Sequence, residues 1–168
     1  MSNHVIFVLD TSGSMSGKKI HQTKNAMKTI LSELREQDSL TIIDFDDNIE
    51  VWTESDGVRW MESQVNGQME TGRKQVFQAT RRNIADAIAQ VESLEADGGT
   101  NINDALMKAL SIISEIRKQE TAEQQYMIIF LTDGHVSYNR YCPPLYLSLI
   151  HISEPTRRYA ISYAVFCL

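Results

Sequence analysis

Two carboxylates and three hydroxyls, at Asp10, Ser12, Ser14, Thr100 and Asp133, are the residues here with the types and spacing to do chemistry. All five are hard oxygen donors, and no imidazole or thiolate accompanies them. Such a set selects Mg²⁺, Ca²⁺ or Mn²⁺ over zinc or copper. The spacing of Asp10, Ser12 and Ser14 predicts an extended loop that turns alternate side chains inward. Gly13 keeps that loop slim, and Gly17 eases entry into a helix whose positive dipole end faces the same place. These donors do not saturate an octahedral ion, and Mg²⁺ usually keeps waters and accepts an outside oxygen. A partner's Asp or Glu carboxylate could complete the shell.

The elements that must position these residues are legible from apolar spacing. Val5 to Leu9 is an apolar run ending at Asp10, and Tyr126 to Leu131 is another, ending in Thr132-Asp133-Gly134. Both read as strands buried on two faces of a parallel sheet. Ser39 to Phe45 and Ile49 to Trp52 read as a hairpin turning at Asp46-Asp47-Asn48. Helices are predicted over Lys18 to Glu36, Gln75 to Glu95 and Asn103 to Gln119, from apolar residues three, four and seven apart. Asp97-Gly98-Gly99 separates the last two. Glu54 to Lys74 is polar, carries glycines and reads as a surface excursion. Strands alternating with amphipathic helices imply an α/β layered fold with a mostly parallel central sheet. Ligand sites in such sheets lie beyond the carboxyl ends of the strands, where Asp10 and Asp133 sit and the Thr100 loop can reach.

Each residue also has a plainer role. The Thr-Ser-Gly-Ser loop taken alone is an ordinary helix N-cap; only Thr100 and Asp133 in register favour a cation site. Asn101 and Asn103 are both candidate caps of the last helix, and the reading favours Asn103. Asp44, Asp46 and Asp47 read as a solvated turn. His4, His21 and His135 are scattered, and Trp52 and Trp60 read as packing residues. Enzyme readings fare worse. Gly13 to Lys19 has one residue too few between its glycines for a phosphate loop, and Lys19 stands where a Ser or Thr would hold Mg²⁺. Met15 occupies the place of a nucleophile-elbow serine. A Mg²⁺-dependent phosphotransferase or hydrolase on a similar sheet is the alternative class.

Asp10-Thr11-Ser12-Gly13-Ser14 fits the D-x-S-x-S signature of the metal-ion-dependent adhesion site in von Willebrand factor type A domains. Gly99-Thr100-Asn101 and Thr132-Asp133-Gly134 resemble that family's second and third metal-site segments, in the same order. Within the family, Phe7 to Ile20 and Gly98 to Leu106 are most similar to the inter-alpha-trypsin inhibitor heavy chains. The resemblance implies a Rossmann-like three-layer fold and no catalysis. It implies Mg²⁺ (with Ca²⁺ or Mn²⁺ as alternatives) held by Asp10, Ser12, Ser14, Thr100 and Asp133. It also implies a protein ligand presenting a carboxylate, extracellular-matrix components among the partners, and a secreted full-length protein. The likeness fades near Tyr138, so the domain is expected to be truncated, with its last strand leaving an open edge.

Composition bounds the rest. The 168 residues make one domain's worth, 42% apolar, with a net charge of −6 that argues against a nucleic-acid partner. No apolar run spans a bilayer. The start at a core strand suggests a piece of a longer chain. Residues 147 to 168, LSLIHISEPTRRYAISYAVFCL, resemble a translated sequencing adapter. They are expected to be a non-native tail beside a domain of residues 1 to 146, although Ala160 to Phe166 has a strand's composition.

Overall fold

The computed structural model describes residues 2–63, 73–119 and 124–133, and the backbone of 162–167. Its centre is β1 (Ser2–Asp10), buried continuously from His4 to Asp10. A strand buried on both faces needs neighbours and covering layers, and β1 has both. β2 (Ser39–Phe45) and β6 (Gln124–Thr132) flank it, each parallel to it. The outer pairings are antiparallel: β3 (Ile49–Ser55) on β2, β4 (Val58–Ser63) on β3, and the short β5 (Phe77–Gln78) at the start of β2. The backbone of β7 (Ser162–Cys167) runs antiparallel beside β6. The edge expected to stand open beside β6 is therefore paired, and the sheet order is β4-β3-β2-β1-β6-β7.

Among the described residues, three α-helices cover the two faces. α1 (Lys18–Glu33) and α2 (Arg81–Ser93) lie on one, against Phe7, Leu9, Leu40, Ile42 and Trp52. α3 (Ile102–Gln119) covers the other, setting Ala105, Ala109, Ile112 and Ile113 against Ile6, Val8, Ile43 and Phe45. Successive strand residues feed opposite cores, as a period of two requires. The result is the expected α/β architecture of three layers around a parallel centre.

Several local expectations are corrected. Val58–Ser63, inside the supposed surface excursion, is strand β4. The turn into it uses Asp56 and Gly57, at φ 52° and 78°, the left-handed pair of a tight hairpin. Residues 64–72 of that excursion lie outside the described residues. Arg59 fixes β4 to α2, donating to Asp86 Oδ2 and Asn83 Oδ1 at 2.7 Å each while pairing with Glu54. The second helix starts at Arg81, not Gln75, because Thr80 caps it by accepting from Asn83 N–H. Phe77 accordingly belongs to β5, where it meets Trp52 with ring centroids 4.2 Å apart. Trp52 is a packing residue, 1% exposed.

His4 is fully buried. Its Nδ1 lies 2.6 Å from Ser39 Oγ and its Nε2 3.1 Å from Thr41 Oγ1. Burial lowers its pKa to about 4, so the ring is neutral at physiological pH.

Candidate metal centre

β1 and β6 deliver the two aspartates to one rim. The register pairs Leu9 with Leu131, so Asp10 stands level with Thr132, one residue before Asp133. Thr132 Oγ1 donates to Asp10 Oδ2 at 2.7 Å. The other Asp10 oxygen accepts from Ser12 N–H at 2.9 Å and from Ser12 Oγ at 2.5 Å. Asp10 has no solvent exposure and Ser12 is 1% exposed. Three donors compensate this carboxylate's desolvation.

The loop after Asp10 is not the extended run that alternation predicted. Gly13–Met15 is a single 3₁₀ turn, closed by Ser16 N–H to Gly13 O at 3.2 Å. The turn, rather than a strand-like zigzag, brings Ser12 Oγ and Ser14 Oγ to 3.1 Å of each other. Ser12 commits its proton to Asp10, which leaves its lone pairs for another partner. Gly17, at φ 74°, then admits the chain to α1.

The Thr100 segment is held to the same rim by its backbone. Asp97 N–H donates to Thr11 O at 2.8 Å, and Gly13 N–H to Gly98 O at 3.0 Å. Gly99 N–H reaches Asp47 Oδ2 at 2.8 Å, and Asn101 N–H reaches Asp46 O at 2.7 Å. Thr100 is half-buried between these two anchors. The approach is close enough to require glycine: a Cβ on Gly98 would lie 2.9 Å from Asp47 Oδ2, and Gly98 is at φ 71°. Asn101, rather than the favoured Asn103, caps α3: its Oδ1 accepts from Asp104 N–H at 3.4 Å, and its backbone O accepts from Ala105 N–H.

The acidic β2–β3 turn is less solvated than its composition suggests. Asp44 is 7% exposed and Asp46 half-buried; Asp47 is exposed but bonded to Gly99. Asp44 Oδ2 accepts from Thr11 Oγ1 at 3.2 Å, whereas Oδ1 finds no hydrogen-bond partner among the described residues. Its direct cross-strand neighbour is Glu50. Burial, then Glu50, raises the Asp44 pKa to about 7, against the Thr11 bond, with Asp46 adding to the rise.

Asp133 Oδ2 receives Lys19 Nζ at 2.8 Å, and the Asp133 side chain is 1% exposed. Sequence reasoning missed Lys19, which it weighed only as a failed phosphate-loop residue. It also missed the parts played by Thr132 and Thr11, although both sit inside the motifs it singled out. Among the described residues no three His, Cys, Asp or Glu side chains gather as a metal cluster. The candidate set is instead two carboxylates and hydroxyls. His135 lies outside the described residues.

Comparison with known proteins follows the same residues. A family profile described as von Willebrand factor type A domain matches residues 5–135. Inter-alpha-trypsin inhibitor heavy chain H2 of Homo sapiens is 36% identical over 133 residues, 78% of this chain and 12% of that protein. Inter alpha-trypsin inhibitor, heavy chain 4 of Mus musculus is 34% identical over 172 residues, 100% of this chain and 15% of that protein. Among solved structures, a von Willebrand factor type A protein from Catenulispora acidiphila is 22% identical. It aligns with a TM-score of 0.49, over 64% of this chain and 22% of that one.

Proposed function

The chain belongs to the von Willebrand factor type A family, and on that premise we propose that it is a cation-dependent binding module without catalysis. Its site is Asp10, Ser12, Ser14, Thr100 and Asp133. The observation that carries the reading is the pair of serine hydroxyls. Oxygens about 2.1 Å from an octahedral Mg²⁺ lie about 3.0 Å apart along a shared edge. Ser12 Oγ and Ser14 Oγ are 3.1 Å apart, with the Ser12 proton turned to Asp10. The two oxygens are thus preorganised for a hard cation, and Ca²⁺ or Mn²⁺ would suit the same donors.

When bound, such an ion supplies an electrophilic position that an incoming oxygen can fill. The chain's residues hold that position at the rim. Thr132 and Ser12 fix Asp10; the β2–β3 turn holds the Thr100 loop; the 3₁₀ turn sets the serines. The fitting partner is a protein surface presenting an Asp or Glu carboxylate. The chain spans 12% and 15% of the two relatives named above, so an extracellular-matrix partner and a secreted full-length protein are part of the proposal. No helix among the described residues is long and apolar enough to cross a membrane.

The test is thermal unfolding in EDTA and over a Mg²⁺ series. At a hundredfold excess over the dissociation constant, about 2.7 kcal/mol of stabilisation is expected. A transition indifferent to both EDTA and Mg²⁺ sinks the reading. The phosphotransferase alternative predicts Mg²⁺-dependent turnover of an aryl phosphate that disappears in Asp10→Ala; none is expected.

A further inference from the structure

Helix α1 begins with Lys18 and Lys19 and has no acidic residue in its first turn. Lysine is disfavoured there, because the N-terminal end of a helix is its positive end. Something else must hold Lys19 in place. Its Nζ crosses to Asp133 Oδ2 at 2.8 Å, on the strand end that also presents the candidate site. The Asp133 side chain is 1% exposed and that of Lys19 is 23% exposed. A carboxylate so far from water needs compensation, and here a cation of the chain is at hydrogen-bond distance to supply it.

We propose that Lys19 is a built-in competitor for the divalent cation, neutralising Asp133 in the metal-free state and swinging away when the ion binds. The inference rests on the cation-site reading above and adds its regulation. An ammonium at hydrogen-bond distance from Asp133 and a divalent ion on the same carboxylate repel each other strongly at so short a range. Lysine suits the exchange: its charge is compact and its stem flexible, and this one already touches solvent. Asp133 therefore never faces the interior uncompensated, and the rim keeps its shape without metal. The apparent metal affinity is reduced by the fraction of molecules in which Lys19 has let go. A site of this kind follows the free cation concentration rather than retaining its ion permanently.

Calorimetric titration of Mg²⁺ into the full chain tests this with wild type, Lys19→Met and Lys19→Arg. Lys19→Met is expected to tighten Mg²⁺ binding by about tenfold or more, a coupling of ordinary size between two linked sites. Lys19→Arg retains the charge and should stay near wild type. In EDTA, Lys19→Met should melt below wild type, and Mg²⁺ should restore it. Asp133→Asn provides a readout independent of metal: in that background Lys19→Met should leave the EDTA melting temperature unchanged. Equal and measurable Mg²⁺ affinities for wild type and Lys19→Met overturn the competitor role while leaving the site intact. So does an undiminished cost of Lys19→Met in the Asp133→Asn background. Absence of Mg²⁺ binding in every variant overturns the site itself, and the competitor with it.

Discussion

Replacing Asp44 by asparagine is expected to stabilise the domain by about 3–4 kcal/mol at pH 8 and to change little near pH 4. The wild-type side chain is 7% exposed, one of its oxygens has no hydrogen-bond partner among the described residues, and Glu50 stands directly across from it. Like charges opposed across a strand pair are destabilising. Burial and Glu50 together raise its pKa from 3.8 to about 7. The folded state therefore binds the proton more tightly than the unfolded chain. Its contribution to stability is fully present below pH 3.8 and is lost as pH rises through about 7. Asparagine never ionises. Its carbonyl keeps the Thr11 bond, and its amide offers Glu50 a donor. Urea denaturation across the pH range is the check. Asp44→Asn no more stable than wild type at pH 8 would show that Asp44 ionises without penalty.

The wild-type pH profile should conceal this group, because His4 pulls the other way. Burial lowers the His4 pKa from 6.5 to about 4. Its contribution is present above pH 6.5 and is lost as pH falls through about 4, worth about 3 kcal/mol. Between pH 4 and 6.5 the two slopes oppose and nearly cancel. Asp44→Asn should uncover a limb that rises with pH, and His4→Asn one that falls. Each profile is read by its slope, so a general loss of stability in the His4 variant does not obscure the result.

The parts of this fold that the sequence announces are those with a strong period. Val5 to Leu9 and Tyr126 to Leu131 have no polar break, as suits strands covered on both faces. α3 carries Leu106, Ile113 and Ile116 at helical spacing, and it was legible for that reason. Three failures have separate causes. β4 is hidden because its burial is partial and its hairpin signal, Asp56-Gly57, sits inside a polar stretch. Phe77 fits the helical period of Ile84, Ile88 and Val91 by coincidence, and Thr80 marks the true start. Alternation of Asp10, Ser12 and Ser14 suggested an extended loop, because a 3₁₀ turn also presents residues two apart when the first lies outside it. The candidate site was legible as a list of donors. The groups that hold them were not, since Thr132, Lys19 and Thr11 act across separations that no local pattern encodes.

Asp10→Ala is the substitution that separates a cation ligand from a structural acceptor, and it is expected to cost about 3 kcal/mol or more in EDTA. Ser12 N–H, Ser12 Oγ and Thr132 Oγ1 all donate to this one carboxylate. The two hydroxyls can rotate to other acceptors, but the Ser12 N–H is fixed by the backbone and loses its partner where Asp10 and Ser12 are almost wholly buried. Removal of the buried charge offsets part of the loss, so asparagine, which keeps one acceptor oxygen, should cost less than alanine. Stability alone does not identify a ligand, because both roles predict a loss in EDTA. The Mg²⁺ response separates them. With Asp10 as a ligand, Asp10→Ala and Asp10→Asn both unfold at the same urea concentration whether Mg²⁺ or EDTA is present, while wild type gains stability from Mg²⁺. With Asp10 only as an acceptor for Ser12 and Thr132, the variants start lower and still gain the full Mg²⁺ increment. That second outcome would place the ion away from the end of β1, since an ion held by Asp10 or by the Ser12 hydroxyl that Asp10 orients would lose its increment in both variants.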